Sequence, residues 1–319
     1  ALAVLAFTLF ADAPVDVAVI EVGMGGEWDA TNIADAEIAV FTPIDLDHTA
    51  ILGSDIATIA RTKAGIVKPG STAVSAAQRP EALAELAEAA AYQGAHLYVA
   101  GRDFALADDR LAVGGRQIDA RGLNGHAYDP AFVPLHGVHQ AENVVLAIAA
   151  VEAFLGAERP IPEEVLDEGL AQLTSPGRLQ LIGTDPVVYV DAAHNPHGAE
   201  ALARAVTESF TFAELALVVG VLGEKDAVGL LQALAPIADR VILTAVDSPR
   251  SLDASGLAEL ADGVIEGVPL EVVDALPGAL DTARAWAAEA GGRAVLVAGS
   301  VLLAGEAVAH ARAEGWGIA

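Results

Sequence analysis

The chain has 319 residues, 54% of them hydrophobic, with a mean hydropathy of +0.46, long enough for two domains with separate cores. Its 17 basic residues against 44 acidic ones leave a net charge of -27, the wrong sign for a nucleic-acid groove or an anionic membrane, so neither is an expected partner. The absence of cysteine excludes a disulfide framework, a thiol nucleophile and a Cys-ligated zinc site, and is compatible with a reducing cytoplasm.

In chain order, the first apolar run, 1–10, contains Thr8 and is too short to span a bilayer, which takes about 18 residues or more. No basic segment precedes it, so it reads as part of a helix rather than a signal peptide, and the later apolar runs are broken before they reach spanning length. Short Val/Ile/Ala-rich runs then alternate with amphipathic stretches, the pattern of βαβ units and a mostly parallel sheet. Strands are predicted at 15–22, 37–42, 72–75 and 97–99, and helices at 56–65 and 80–92. From Phe104 to Pro134 the glycines at 114, 115, 122 and 125 punctuate short runs that read as hairpins. A strongly apolar helix is predicted over 139–154, and another starts at Pro162 or Glu163. Thr174-Ser-Pro-Gly-Arg178 breaks the pattern, and the domain boundary is placed at Ser175 to Gly177, giving domains 1–175 and 176–319. Beyond it strands are predicted at 187–190, 215–221, 240–245, 270–273 and 294–297, each followed by a helix.

The residues with chemical potential fall at the predicted strand exits, where α/β proteins bind ligands. Gly23-Met24-Gly25-Gly26 invites a dinucleotide reading, but that motif needs glycine at 28, where Trp28 stands, and a tight strand exit explains the glycines equally well. Glu21 closes an apolar run, where a carboxylate is costly to bury without a cation or a donor. His48 follows the next predicted strand and could share a rim with Glu21, either as a metal ligand or as a hydrogen-bonded loop residue, imidazole being unusual on Mg²⁺. Lys63 lies in the last turn of a predicted helix, where the helix dipole alone favours a cation. In the second half, Asp191 and His194 end a strand and suit ribose hydroxyls or a phosphate edge, Asn195 suits a helix cap, and Gly220 and Gly299-Ser300 end two further strands.

Taken together, Glu21-Val-Gly-x-Gly-Gly-x-x-Asp29-Ala-Thr-Asn, Asp47-His48-x-x-x-Leu-Gly, Lys63-Ala-Gly-Ile, His139-Gln140-x-x-Asn143, Ser-Pro-Gly-Arg178, Asp191-x-Ala-His-Asn-Pro-His-Gly and Gly299-Ser-Val-Leu-Leu-Ala-Gly-Glu resemble folylpolyglutamate synthase, often bifunctional with dihydrofolate synthase, in the Mur ligase superfamily. The motifs cover the whole chain in the family's order. The resemblance implies an α/β protein of two domains, a Mur-ligase-type central ATPase domain followed by a Rossmann-like doubly wound domain. It implies an ATP-dependent amide ligase of folate biosynthesis, which adds L-glutamate to dihydropteroate or a reduced folate through an acyl phosphate. It further implies a cytoplasmic monomer. Carried over by motif, Glu21 and His48 would hold Mg²⁺, and Lys63 would be carbamylated. Trp28, Asp29 and Ala30 would line the pterin site, Asn143 would contact adenine, Arg178 the phosphates and Asp191 the ribose, with His194 beside it. Lys63, His48 and Arg178 would be the catalytic group.

Two departures are visible: Glu27 stands where the family often has Arg, and Gly223-Glu-Lys-Asp226 varies a usual Asp-Lys-Asp theme. The family's P-loop, Gly-x-x-Gly-Lys-Gly-Ser, is not found in the 319 residues and would precede Ala1, so the chain is expected to be an amino-terminally truncated ligase, inactive alone. Another Mur-type ligase and a non-catalytic nucleotide-binding module are the alternatives.

Overall fold

The computed structural model describes residues 2–13 and 15–316. It forms two compact units, one within Ala1–Asp109, Gln117–Ala131 and Ala141–Gly169, the other within Arg110–Arg116, Phe132–Gln140 and Leu170–Ala319.

The first unit opens with helix α1 (Leu2–Asp12), a 3₁₀ turn at Ala30–Ile33 and strand β1 (Ile38–Phe41). Helices α2 (Thr49–Leu52) and α3 (Ile56–Ala64), strand β2 (Thr72–Ser75), helix α4 (Pro80–Gln93) and strand β3 (His96–Val99) follow. The three strands form a parallel sheet in the order β1-β2-β3. Phe41, Ala73, Ile59 and Leu86 pack α3 and α4 onto it. Asp55 starts α3 by accepting from the Thr58 amide at 2.9 Å, and Gly65 caps its end, as an N-terminal Asp and a C-terminal Gly commonly do.

One predicted strand is absent. Residues 15–22 form no strand, and Val15, Val17 and Val19 are 50%, 56% and 94% exposed. A β-prone composition describes a side chain's fit to a pleated surface, but a strand exists only where another backbone pairs with it. Helix α1 forms as predicted from Leu2 onward and has no buried residue; Ala1 lies outside the described residues.

Strands β4 (Ala105–Ala112), β5 (Gly115–Arg121) and β6 (Ala127–Val133) make a second sheet with β5 in the middle, the hairpins that the glycines announced. Helix α5 (Val138–Leu155) comes next, then α6 (Glu163–Ala171). Among the described residues α5 is the one helix long and apolar enough to cross a membrane. The fully buried Glu152 on it has a structural use, however. Its carboxylate accepts from the Leu123 amide at 2.6 Å and the Tyr128 hydroxyl at 2.7 Å, and that hydroxyl accepts in turn from the Ile161 amide at 2.8 Å. Burial and the Glu152 contact push the Tyr128 phenol well above its ordinary value. Glu152→Ala would strand two donors without water and is expected to cost the first unit roughly 2–4 kcal/mol. Urea unfolding followed through this unit would show it, and an unchanged midpoint would mean that water replaces the carboxylate.

The second unit carries strands β7 (Gln180–Thr184), β8 (Val187–Val190), β9 (Glu214–Val219), β10 (Arg240–Ala245), β11 (Leu270–Ala275) and β12 (Arg293–Ala298). They are ordered β11-β10-β9-β12-β8-β7, all parallel except the antiparallel edge strand β7, which sequence reading missed. Helices α7 (Pro196–Ser209), α8 (Ala227–Leu234) and α9 (Ala254–Ala261) cover one face, and α10 (Leu276–Ala288) and α11 (Val301–Ala313) the other. The strand residues show why. Leu215, Leu217 and Val219 of β9 point into the first layer, while Ala216 and Val218 point into the second, so the strand is apolar from Leu215 onward. This is a doubly wound sheet. β9 and β12 are neighbours, yet α8 and α11, which follow them, lie on opposite faces, and such a switch opens a crevice at the carboxyl ends of the strands.

Candidate functional site

In the first unit the glycine loop is docked on the end of α3. The Glu27 amide donates to the Thr62 carbonyl at 2.9 Å, and the Asn32 side-chain amide donates to the carbonyls of Glu27 and Gly65, both at 3.1 Å. The approach is close enough to exclude side chains. A Cβ on Gly26 would lie 2.6 Å from the Lys63 carbonyl oxygen, and one on Gly65 would lie 2.6 Å from the Glu27 Cα. The two glycine-bearing motifs are therefore the two sides of one backbone contact, and Lys63 sits on the α3 side of it.

Asp29 anchors the other end of the loop. It accepts from the Thr31 hydroxyl at 2.6 Å, the Thr31 amide at 2.9 Å and the Met24 amide at 3.0 Å, and so caps the 3₁₀ turn that begins with Ala30. Burial works to raise its carboxyl, but these bonds outweigh it and hold the group below the ordinary value. Trp28 is 73% exposed. His48 takes a left-handed backbone, φ 51°, at the start of α2, with its Nε2 3.9 Å from an Asp47 oxygen. Glu21 is exposed, so the desolvation that made it conspicuous in the sequence does not operate in this structure. Lys63 is half-buried, and its side-chain amine makes no hydrogen bond or ion pair among the described residues. No group of three His, Cys, Asp or Glu able to hold a metal ion occurs among the described residues.

The second unit places its polar residues on the predicted rim. Asp191 leaves β8, Gly220 leaves β9 and Gly299 leaves β12, and the exits are laced together. The Asp191 amide donates to Val297 at 2.8 Å, and the Gly299 amide donates to Ala193 at 2.9 Å. The Asp191 carboxylate is buried, 6% exposed, and accepts from the Leu179 amide at 2.9 Å and the Ala193 amide at 2.8 Å. Burial pushes its carboxyl up, and these two bonds, Arg178 and His194 offset only part of that. Leu179 is held at φ 41°, unusual for a branched residue, and this fixes the loop that presents exposed Arg178. His194 turns its Nδ1 to the Ala192 carbonyl at 3.0 Å. Asn195 accepts from the Gly198 amide at 2.8 Å, the helix cap that the sequence suggested. Asn143 lies half-buried on α5, in the first unit.

Sequence reading passed over a further group in the second unit. Gly137 and Ala205 meet closely: a Cβ on Gly137 would lie 2.9 Å from the Ala205 Cβ and 2.5 Å from His139 Cε1. Gly137 thus lies between the His139 ring and Ala205 of α7, with no room for a side chain of its own. Burial lowers the basicity of His139, and the positive charges of Arg178, Arg204, Arg116 and His197 lower it further. The seven-residue spacing of His197 and Arg204, two turns of one helix face, was the available signal.

Comparison with known proteins shows what the chain is similar to. The Mur ligase middle domain model matches residues 3–151, and that of the Mur ligase glutamate ligase domain matches 177–301. The dihydrofolate synthase/folylpolyglutamate synthase of Mycobacterium tuberculosis is 42% identical over 96% of this chain and 66% of its own length. The folylpolyglutamate synthase of Lacticaseibacillus casei is 33% identical over 81% of this chain and 60% of its own length. The chain thus spans 60 to 66% of the length of these relatives. Among solved structures, Mycobacterium tuberculosis folylpolyglutamate synthase complexed with ADP superposes with a TM-score of 0.93 at 42% identity, covering 97% of this chain and 71% of that one. E. coli FolC in complex with DHPP and ADP superposes with a TM-score of 0.83 at 31% identity, covering 96% and 69%.

Proposed function

Because the chain belongs to the Mur ligase family, in its folylpolyglutamate synthase/dihydrofolate synthase branch, we propose that it acts in ATP-dependent joining of L-glutamate to dihydropteroate or a reduced folate. In that reaction the γ-phosphoryl group of ATP passes to the pterin substrate's carboxylate, leaving ADP and an acyl phosphate. The glutamate amine then attacks the acyl carbon, orthophosphate leaves, and the amine gives up a proton. Phosphoryl transfer of this kind rests on positioning and charge neutralisation, and it asks for no side-chain nucleophile.

The observation that supports this reading best is the tie from Asp191 to Leu179, which holds Arg178 beside a rim of parallel-strand exits. The relatives whose structures contain ADP carry the nucleotide argument for this chain. Arg178 would meet the phosphates, Asp191 and His194 the ribose side of the rim, Asn143 the adenine, and the Trp28-Asp29-Ala30 segment the pterin. Mg²⁺ keeps several waters and is commonly bound through one or two carboxylates plus phosphate oxygens, so Glu21 would be its oxygen ligand and His48 a less usual second one. When bound, Mg²⁺ would neutralise phosphate charge. Lys63 is half-buried without a partner among the described residues, as an amine that adds CO₂ and loses a proton would need to be. We place the protein in the cytoplasm as a monomer.

Full-length protein given MgATP, L-glutamate and dihydropteroate or a reduced folate is expected to release orthophosphate in step with amide formation. Nucleotide binding without glutamate-dependent release would overturn the reading. Lys63→Ala is expected to depress turnover by more than about tenfold, and high bicarbonate should not restore it, since no amine remains to carry CO₂. Unchanged turnover would reduce Lys63 to a dipole-favoured cation at the end of α3.

A further inference from the structure

The end of the second sheet opposite the rim carries a cleft that the ligase reading does not use. Asp185 lies in the turn that precedes β8, and residues 314–316 follow α11, which runs back from the exit of β12, so both stand at the amino ends of the parallel strands. With Arg284 of α10 they bound an open cleft of about 430 Å³, lined by Thr184, Asp185, Arg284, Glu314, Gly315 and Trp316. A volume of a few hundred Å³ is that of a small-molecule site.

Arg284 is held in place by two contacts. Its guanidinium carbon stands 3.9 Å from the centre of the Trp316 indole, and its Nη2 donates to the Asp185 carbonyl at 3.1 Å. The stack sets the plane of the guanidinium and the carbonyl sets its direction. The remaining nitrogens are unanswered: Nε is buried with no acceptor, and Nη1 meets none among the described residues. A carboxylate in the cleft would complete this set, because a fixed guanidinium suits a planar pair of oxygens. Asp185 and Glu314 bring two exposed carboxylates to the same cleft. Among the described residues neither carboxylate makes an ion pair, with Arg284 or with any other cation. The lining thus offers one oriented cation and two anions that do not satisfy one another.

We propose that this cleft binds a free basic α-amino acid, with its carboxylate on Arg284 and its two cationic groups on Asp185 and Glu314. One negative and two positive charges on the ligand match two negative and one positive charge on the lining. A diamine would leave Arg284 unanswered, and an acidic amino acid would bring a second carboxylate toward two others. L-Glutamate, the amino acid of the ligase reading, is therefore excluded from this cleft, and the inference stands apart from that reading.

Calorimetric titration of the full-length protein at low ionic strength with L-lysine, L-norleucine, cadaverine and L-glutamate tests it. L-Lysine is expected to bind at least about tenfold more tightly than L-norleucine, which lacks the second cation, and than cadaverine, which lacks the carboxylate. Arg284→Met keeps an apolar stem beside the indole and should weaken L-lysine at least about fivefold while leaving cadaverine unchanged. Asp185→Asn keeps the carbonyl that holds Arg284, Glu314→Gln alters an exposed side chain, and each should weaken L-lysine by a similar factor. Thermal melting checks the fold of the variants, and if Arg284→Met does not fold, the two carboxylate variants decide. The indole N–H resonance of Trp316 should shift as L-lysine is added, while that of exposed Trp28 in the first unit stays in place. Cadaverine binding as tightly as L-lysine would reduce the effect to attraction by a protein of charge -27 and overturn the amino-acid assignment. No binding of L-lysine by the wild type, or binding that none of the three substitutions weakens, would overturn the site.

Discussion

Gly26→Val is expected to release the glycine loop from the end of α3. Any Cβ at position 26 would lie 2.6 Å from the Lys63 carbonyl oxygen, 2.7 Å from that of Thr62 and 2.9 Å from the Lys63 Cα. These are main-chain atoms of a packed helix, and they have no rotamer by which to move aside. Overpacking of this kind costs about 1–3 kcal/mol, occasionally more, and a clash with backbone belongs at the upper end. The loop would relieve it by leaving, taking with it the Glu27-to-Thr62 hydrogen bond and the Asn32 bonds to Glu27 and Gly65. Hydrogen exchange at the Glu27 amide should accelerate, and Gly65→Val should have the same effect from the opposite side. A Cβ on Gly70 would meet nothing within 4 Å, although its φ of 69° disfavours other residues, so Gly70→Ala supplies the control for backbone strain without a clash. Exchange at Glu27 as slow in Gly26→Val as in the wild type would show that the helix end yields instead.

Asp191→Ala is expected to have the larger functional effect. The carboxylate serves two buried amides, that of Leu179 twelve residues before it and that of Ala193 two residues after it. Its removal leaves both unsatisfied, at a cost of roughly 2–4 kcal/mol. Leu179 would no longer be held in its left-handed conformation, and Arg178, the next residue along, would lose its fixed direction. If Arg178 meets the nucleotide, the apparent Michaelis constant for ATP should rise by at least about tenfold and that for the pterin by less than about twofold, because the proposed pterin segment belongs to the other unit. Asp191→Asn keeps one acceptor and should fall between the two. Equal effects on both substrates would argue that the second unit has lost its fold as a whole.

Much of the second unit could be read from the chain because its central strands, β9, β10 and β12, are buried on both faces. A strand such as β9 then appears as an unbroken apolar run, and a helix follows each one. β7 escaped notice because Gln180–Thr184 carries a polar start and a glycine, and it is a strand only because β8 lies beside it. Residues 15–22 erred in the opposite sense, having a strand's composition without a neighbour. The strand-exit position of Asp191 was legible, but the inward turn of its carboxylate depends on the backbone of Leu179, which no periodicity encodes. Gly26 and Gly65 looked like two separate turn signals, and only three-dimensional structure shows that each makes room for the other's segment. His197 and Arg204 could have been paired by their spacing, whereas the charge that Arg116 brings to His139 comes from a hairpin whose placement no local pattern foretells.

The position of β12 bears on how the protein is made. It lies between β8 and β9, pairing Ala294 with Val187 on one side and Arg293 with Glu214 on the other. During synthesis β8 and β9 must therefore wait, with no strand between them, until a segment more than a hundred residues after β8 has left the ribosome. Pairings this distant in sequence are slow to form and leave unpaired edges open to aggregation in the meantime. The rim is assembled by the same event, because Asp191 and Gly299 are tied through β12 and its exit. The ties that join the Asp191 and Gly299 exits are thus a late product of folding, made only when β12 arrives, whereas the bonds from Asp191 to Leu179 and Ala193 need no such wait.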